Sequence, residues 1–528
     1  IIKKRHPKYE VLKEEIRMMV IDGAESGDDE EAVIADKLRL IDNVQRLGIG
    51  YHFEAEIEEA LEKVHVFGDD LFINIDDNNT TDLYHATLRF RLLRQQGFPV
   101  SLDGFRKLKD SEGRFKEHLA SNEQGLLSLY EATHLALNGE IILDEILTFT
   151  TKTLKSILSQ NTINHSFQKQ IDFALRFPVW KCIPRLLTRH YIDFYLDDPS
   201  HDQTLLTFAK LDFNIVQKLQ QQELYEITSW WRSLGVGTNF PYARDRVVEC
   251  YFGMNVVYFE PKYRLARMIL NKISLTLSLI DDTYDNYATY EELHMLTEAI
   301  ERLDTKALKA LPDSMKDIYR VIINTYDEIE MELEKTGSAF GAEYAKTELK
   351  RMCRSYFVEA RWRTEGYVPT VEEYKTDGYI TGSSLSVPTS ALLGMGAEIA
   401  TREAFEWLTN EPMVVRALGA ITRLQNDIVS HELERKREHV ASAVDCYMKE
   451  HASSEEEAIE FFWKEISRGW KDITAKFAKP TPVHVALIER LLNYARFFHV
   501  LYEKGDGYTN ARLLKAHIVS LFVDAVPL

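Results

Sequence analysis

Three aspartates follow directly on a long apolar segment of the chain. Residues 269–280 are mostly apolar and lead into Asp281, Asp282 and Asp285. On a helix, Asp281 and Asp285 lie on one face about one turn apart, whereas Asp282 points to the side. Carboxylates near the C-terminal end of a helix oppose its dipole, and a bound cation would remove this conflict. The pair therefore predicts a site for hard divalent cations such as Mg²⁺.

A second polar stripe follows about 140 residues later. Residues 413–437 are predicted to form one helix, in which Asn426, Ser430 and Glu434 recur at intervals of four. Their amide oxygen, hydroxyl and carboxylate therefore face one way and can serve as ligands for a hard metal. Arg423 lies about one turn earlier on the same stripe, where its guanidinium is placed for a phosphate.

Each cluster taken alone has a simpler explanation. An Asp-rich pentapeptide is often a solvated helix end, and polar residues at helical spacing often form a solvent-exposed face. The combination of two clusters, each on an apolar helix, is more specific than either one. Together they predict metal-assisted binding of a phosphorylated substrate.

The elements that must position these clusters are helices. Apolar residues recur every three or four positions, and runs of alternating β-branched residues are nearly absent. Turn-forming residues concentrate at 196–204, which is the predicted domain boundary. The chain is therefore predicted to be all-α, with two helical domains. Capping boxes at helix starts are predicted at Thr289/Glu292, Thr370/Glu373 and Ser453/Glu456.

Composition and charge exclude several classes of protein. The net charge of -19 disfavours nonspecific binding to nucleic acid or anionic lipid. No apolar run approaches the roughly 20 residues that span a bilayer. The four cysteines have no CxxC spacing, so free thiols in a reducing compartment are expected rather than a zinc site or disulfides.

Four short sequences add a resemblance that extends along the chain. They are Ala-Arg-Asp-Arg at 243–246, Tyr-Phe-Glu-Pro at 258–261, Val-Glu-Ala at 358–360 and Asp-Gly-Tyr-Thr at 506–509. With the two polar clusters, they make the chain resemble a plant class I terpene synthase of the sesquiterpene cyclase type. The resemblance implies a C-terminal class I terpenoid synthase helical bundle at 210–528. It also implies an N-terminal α-barrel-like helical domain at 1–209.

The resemblance further implies three bound Mg²⁺ ions, with Mn²⁺ as an alternative metal. Asp281 and Asp285 match positions that serve two ions, and the Asn426 stripe with Ser430 and Glu434 matches the ligands of the third. Glu359 matches an acidic position near the first cluster, although an ordinary salt bridge is its alternative role. The implied substrate-binding residues are Arg244, Arg246, Gly253, Asp281, Asp282, Asp285, Arg423 and Asn426.

Six residues match positions that act on the substrate or close the site over it. The arginines are suited to bidentate contacts with a diphosphate. A tyrosine face can favour a nearby cation, and Asp506 can organise a loop or accept a proton, with packing and loop capping as alternatives. These candidate catalytic residues are Arg244, Arg246, Arg423, Tyr502, Asp506 and Tyr508.

Gly253 is the main departure from the family pattern, in which this position usually carries Trp. Losing an indole removes a cation-stabilising face and is expected to leave space for water. An alcohol or early-quenched product would follow. The alternative is compensation by another residue of the pocket.

The resemblance implies a monomeric, cytoplasmic sesquiterpene synthase, a magnesium-dependent carbon–oxygen lyase. It would ionise farnesyl diphosphate, cyclise the carbocation and release diphosphate. The alternatives are a monoterpene synthase using geranyl diphosphate, a chain-elongating prenyltransferase, and a noncatalytic helical scaffold or isoprenoid-binding protein. A prenyltransferase would normally carry a second DDxxD sequence, whereas residues 426–434 depart from it toward the cyclase pattern.

Overall fold

The computed structural model describes residues 8–21, 30–66, 80–160, 163–434 and 440–528. All regular elements within these ranges are helical. The β pairing within the same ranges is an isolated antiparallel bridge between Lys109 and Phe115. The all-α prediction is therefore confirmed. None of the helices described is both long enough and apolar enough to cross a membrane.

The chain divides into two compact units. The first comprises Ile1–Lys218, Thr474–Thr481 and Val519–Leu528, and the second comprises Leu219–Ile473 and Pro482–Ile518. The assignment of residues 1–209 and 210–528 to two domains stays a prediction. All four cysteines are free, and Cys250 is the one among them that is only partly buried.

The helices of the first unit begin near the N-terminus and end with a helix that continues into the second unit. A buried carboxylate, Asp212, joins three segments of this unit by accepting hydrogen bonds from Tyr9 and Tyr51, each at 2.8 Å, beside His52 at 3.0 Å. The helices are α1 (Tyr9–Ile21), α2 (Glu30–Arg46), α3 (Glu54–Val66), α4 (Thr80–Gln95), α5 (Asp103–Arg106), α6 (Glu123–Thr133), α7 (Ile141–Gln160), α8 (His165–Arg176), α9 (Pro184–Asp197) and α10 (Gln203–Ser233).

The second unit contains the predicted chemistry. The further helices along the chain are α11 (Val236–Asn239), α12 (Val247–Val257), α13 (Arg264–Asn286), α14 (Tyr290–Arg302), α15 (Asp313–Glu334), α16 (Phe340–Glu365), α17 (Val371–Thr381), α18 (Ser386–Ala391), α19 (Arg402–Thr409), α20 (Met413–Gly419), α21 (Gln425–Glu434), α22 (Ala443–His451), α23 (Glu455–Ala475), α24 (Val485–Leu501) and α25 (Lys515–Phe522). The last residues of α23 and of α25 belong to the first unit. α13 packs against α12, α15, α16 and α18, which explains why it is apolar on most faces.

The helix at residues 413–437 differs from its prediction as one uninterrupted α-helix. A π turn at Ala420–Leu424 separates α20 from α21. In such a turn the backbone hydrogen bonds span five residues instead of four, so the helix is locally wider. Residues 435–437 lie outside the described part of the chain.

Two of the three predicted capping boxes are confirmed. Thr289 with Glu292 starts α14, and Thr370 with Glu373 starts α17. The box predicted at Ser453/Glu456 is wrong by one residue, because the backbone N–H of Ser454 donates to Glu457 and that of Glu457 to Ser454 Oγ. Repeated serines and glutamates at this position fit either register.

Candidate active site

A cavity of about 310 Å³ lies within the second unit. A volume of this size is at the lower end of the range of small-molecule pockets, roughly 300–1,000 Å³. The predicted site residues that line it are Arg244, Arg246, Asp281, Asp285, Arg423, Asn426, Ser430, Tyr502, Asp506 and Tyr508. The two polar clusters, about 140 residues apart in sequence, therefore face one space.

The first cluster occupies the last turns of α13. Arg363 on α16 donates to the carbonyl oxygens of Asp285 at 2.7 Å and Tyr284 at 3.1 Å. Carbonyls at a helix C-terminus have no partner within the helix, and a cation there also complements the helix dipole. Arg363 therefore stabilises the turn that carries Asp285.

Asp281 accepts hydrogen bonds from three side chains. Arg244 donates to Oδ2 at 2.7 Å, and the Tyr508 hydroxyl lies 3.3 Å from the same oxygen. The Tyr356 hydroxyl donates to Oδ1 at 2.9 Å. Burial and the nearby Asp281 carboxylate raise the pKa of both tyrosines, so they keep their protons and act as donors.

Asp282 does not line the cavity. Its carboxylate is almost fully buried, accepts the backbone N–H of Arg244 at 2.8 Å and contacts the Arg244 guanidinium at 2.6 Å. Burial raises the pKa of Asp282, although Arg244 opposes this shift. Asp282 therefore holds Arg244 in place, and its direct contact with a substrate stays a prediction.

Arg244 and Arg246 belong to a loop that reaches the segment 506–509. The Arg244 guanidinium lies 4.6 Å from the centre of the Tyr508 ring. Arg246 donates to the carbonyl oxygens of Tyr508 at 3.2 Å and Thr509 at 2.8 Å. Asp506 accepts the backbone N–H groups of Tyr508 and Thr509, each at 3.0 Å, so loop capping is one of its roles.

Arg423 lies in the π turn and donates hydrogen bonds to α17. Arg423 donates to the Gly378 carbonyl at 2.9 Å and to the Thr381 hydroxyl at 2.7 Å. Thr381 in turn donates to Glu359 at 2.7 Å. Thr422, Arg423 and Glu359 all line the cavity, so the acidic position left open by the sequence faces the site.

The second predicted ligand set lies on α21. Asn426 and Ser430 line the cavity, and the Ser430 hydroxyl donates to the Asn426 carbonyl at 2.8 Å. That bond uses the hydroxyl proton, so the oxygen lone pairs remain as acceptors. Glu434 is the last residue of α21 for which the backbone is described, and its side chain lies outside the described part of the structure.

The donor chemistry fits a hard divalent cation. Two carboxylates on α13 face the cavity together with an amide and a hydroxyl on α21. Oxygen ligands of this kind suit Mg²⁺, which retains further positions for water or phosphate oxygens. The residues present therefore fit the metal that the resemblance implies.

Aromatic rings on α24 and at its C-terminal end form another part of the cavity wall. Tyr494, Phe497, Phe498 and Tyr502 line it, and Phe498 lies 5.0 Å from Tyr494 and 5.7 Å from Tyr502 between ring centres. A wall of this kind offers ring faces to a cation and few nucleophiles.

Gly253 is buried on α12 and is not among the residues that line the cavity. A Cβ atom at this position would lie 2.7 Å from Cζ of Phe497. The expectation of open space beside Gly253 is therefore wrong, because the Phe497 ring fills it. The alternative expectation, compensation by another pocket residue, describes the structure, and substrate binding by Gly253 stays a prediction.

Sequence reasoning did not identify two residues that contribute to the site. Tyr356 precedes Glu359 by one helical turn on α16, so the position of Glu359 was a signal for it. Phe497 carries no motif. Its role follows only from the packing of α24 against α12.

Both units match described protein families. Residues 3–175 match "Terpene synthase, N-terminal domain", and residues 232–472 match "Terpene synthase family, metal binding domain". A valerianol synthase of Camellia hiemalis is 44% identical over 519 residues, which are 98% of this chain and 91% of the relative. A hedycaryol synthase of Camellia brevistyla is 43% identical with the same coverage of both chains.

A solved structure with the same fold is isoprene synthase from grey poplar leaves (Populus x canescens), in complex with three Mg²⁺ ions and dimethylallyl-S-thiolodiphosphate. The TM-score is 0.89 at 33% sequence identity, and the match covers 98% of this chain and 97% of the other.

Proposed function

Because the chain belongs to the terpene synthase family, we propose that it is a sesquiterpene synthase that ionises farnesyl diphosphate and cyclises the resulting carbocation. The family inferred from the sequence is confirmed, as is the enzyme class of a lyase that acts on diphosphates. One observation carries the proposal: a single cavity is lined by oxygen ligands, by arginines and by aromatic rings.

The reaction begins with heterolysis of the bond between the allylic carbon and the diphosphate oxygen, and the electron pair leaves with diphosphate. Asp281 and Asp285 would hold metal on α13, and Asn426, Ser430 and Glu434 would hold it on α21. Bound Mg²⁺ supplies Lewis-acid stabilisation of the negative charge on the leaving group. The isoprene synthase complex with three Mg²⁺ ions supports the proposed number of ions.

The chain's own cations assist the same step. Arg244 and Arg423 face the cavity, and each is already oriented by acceptors of this chain, Asp281 and Asp282 for Arg244 and Gly378 for Arg423. Preorganised donors stabilise developing charge without reorganising during the reaction. Arg246 positions the segment at Tyr508 and Thr509 through its backbone carbonyls.

The aromatic wall acts on the second half of the reaction. An allylic cation reacts rapidly with water. The isoprenoid chain of the substrate must therefore fold in a space that presents few nucleophiles. The tyrosine and phenylalanine rings of α24 provide that surface. The cation then closes a ring by attack of an internal double bond and ends by losing a proton or by capturing one water molecule.

The finer properties of the enzyme are also proposed from the sequence. They are the use of Mn²⁺ as an alternative metal, a monomeric state and a cytoplasmic location. The matched relatives support farnesyl diphosphate as the substrate, since they are valerianol and hedycaryol synthases.

Product analysis with three substrates tests the proposed function. The protein is incubated with geranyl, farnesyl or geranylgeranyl diphosphate, with and without magnesium, and the products are identified by mass spectrometry. We expect a cyclic C15 product from farnesyl diphosphate with magnesium only. A preference for geranyl diphosphate would identify a monoterpene synthase. A longer diphosphate, formed when isopentenyl diphosphate is added as the second substrate, would identify a prenyltransferase. Intact substrate in every reaction, with or without isopentenyl diphosphate, would identify a noncatalytic protein.

A further inference from the structure

Gly253 and Phe497 are in direct contact although they are far apart in sequence. A Cβ atom added to Gly253 would lie 2.7, 3.0 and 3.1 Å from Cζ, Cε1 and Cε2 of Phe497. Carbon atoms attract each other best at about 3.5–4.0 Å, and these distances are repulsive. The tip of the ring therefore rests on the backbone of α12, at a position where a residue larger than glycine would collide with it.

The Phe497 ring lies between aromatic neighbours and the cavity. Phe252 on α12 lies 6.0 Å away in an edge-to-face arrangement, and Phe498 lies 5.4 Å away in another. The ring also lines the cavity, as do Met254 and Cys250 of α12. A side chain at position 253 would push the ring away from α12, and the cavity is the space available to receive it.

We propose that Gly253 and Phe497 together determine specificity: the side-chain volume at position 253 sets how far the Phe497 ring projects into the cavity. This inference rests on the proposed function, because it concerns the isoprenoid chain of the prenyl diphosphate. Phe497 contacts the isoprenoid chain, and Gly253 acts as a positioning residue through Phe497. The pair sets which chain lengths fit and which folded conformation of the chain is cyclised.

A double-mutant cycle tests the pairing. The variants are Gly253→Ala, Phe497→Leu and the double variant, and each is assayed with magnesium on geranyl, farnesyl and geranylgeranyl diphosphate. One methylene group in an apolar pocket changes kcat/KM by about 10-fold or more. We expect Gly253→Ala to shift relative kcat/KM toward geranyl diphosphate, and Phe497→Leu to shift it toward geranylgeranyl diphosphate, each by about that factor.

The double variant distinguishes a contact from two separate effects. Leucine is smaller than phenylalanine, so it leaves room for the new Cβ, and the double variant should return toward the wild-type substrate preference and C15 product profile. The effects of the two changes should therefore not be additive. Gly237→Ala is the matched control, because a Cβ at Gly237 meets nothing within 4 Å.

Several results would overturn the pairing. One is Gly253→Ala with the wild-type product profile and substrate preference, and another is additive effects in the cycle. If Gly253→Ala does not fold, recovery of folding in the double variant supports the pairing, and continued misfolding contradicts it. A wild-type protein without turnover on any prenyl diphosphate would instead refute the proposed function, whereas active variants without altered preference refute the pairing alone.

Discussion

Asp281 is oriented by side chains from three separate segments of the chain. Arg244 comes from the loop before α12, Tyr356 from α16 and Tyr508 from the segment after α24, and all three contact its carboxylate. Hydrogen bonds to a metal-binding carboxylate fix its direction and commonly change metal affinity by about 10–100-fold. The side chains of this chain therefore orient the carboxylate that is predicted to bind metal.

Removing the hydroxyl of Tyr356 tests this positioning. In Tyr356→Phe, Asp281 Oδ1 loses its donor at 2.9 Å, and we expect the magnesium concentration for half-maximal activity to rise about 10-fold. Magnesium titrations of farnesyl diphosphate turnover measure this change. Tyr319→Phe is the control, because the buried Tyr319 hydroxyl donates to Ala299 and Asp304 carbonyls away from the cavity. Equal magnesium dependence in both variants would contradict the role of Tyr356.

The sequence predicts which candidate ligands share a face where the geometry is local. Asp281 and Asp285 share a face because four residues make about one helical turn, and this holds in any fold that keeps the helix. Tyr356 lies 75 residues from Asp281, and their contact depends on how α16 packs against α13. The same is true of Phe497, which fills the space beside Gly253.

The end of α13 depends on a partner helix. Arg363 donates to the Tyr284 and Asp285 carbonyls in the turn that carries one predicted metal ligand. A cation at a helix C-terminus and hydrogen bonds from a charged donor each contribute roughly 1 kcal/mol. The position of Asp285 is therefore coupled to the packing of α16.

Replacing this cation should affect stability and metal binding together. We expect Arg363→Gln to lower the free energy of unfolding by about 1–2 kcal/mol. The variant should also need a higher magnesium concentration for half-maximal activity. Urea denaturation and magnesium titration measure the two effects. The exposed Arg361→Gln, two residues away on α16, should change neither. A stable Arg363→Gln protein with normal magnesium dependence would show that the cap does not support Asp285.

The π turn at Ala420–Leu424 marks the limit of sequence patterns at the scale of elements. Apolar residues of this segment recur with helical spacing on both sides of the turn, so the periodicity predicts one helix. A single wide turn hardly changes that pattern, although it changes where Thr422 and Arg423 point. Gly419, before the turn, is a signal in retrospect, since a Cβ there would lie 2.4 Å from the Tyr379 ring.

Whole-molecule stability should depend on one buried carboxyl on α16. Glu348 is 4% exposed, and burial raises its pKa to about 7, although Arg351 lowers it. In an unfolded chain the pKa of a glutamate is about 4.3, as in model peptides. Between about pH 4.3 and pH 7 the Glu348 carboxyl is protonated in the folded protein but ionised in the unfolded chain. The stability that comes from keeping this carboxyl neutral is therefore lost as the pH rises through 7.

Glu348→Gln should remove this pH dependence. We expect the variant to be more stable than wild type at pH 8.5, by up to about 3 kcal/mol, and close to wild type near pH 4. Urea denaturation at several pH values between these two measures the difference. Exposed Glu365→Gln on the same helix is the control. A constant difference in stability at every pH would contradict the assignment to Glu348.

The fold of the whole molecule is carried by repeated local signals, which is why helical periodicity predicts the all-α class. The composition of the two compact units is not local. Thr474–Thr481 lies between the two segments of the second unit in sequence and Val519–Leu528 follows them, yet both belong to the first unit. Asn214 binds the backbone of Val526 across 312 residues, and no pattern within either segment indicates that pairing.

In the proposed function, a prenyl diphosphate is ionised in one cavity by metal that ligands on both α13 and α21 hold. The most direct test is the rate of diphosphate release from farnesyl diphosphate by wild type, Asp281→Asn and Ser430→Ala, with magnesium and with a chelator. We expect release by wild type only with magnesium, and rates at least about 100-fold lower in both variants. Release at the wild-type rate by either variant, or by wild type in the chelator, would contradict it.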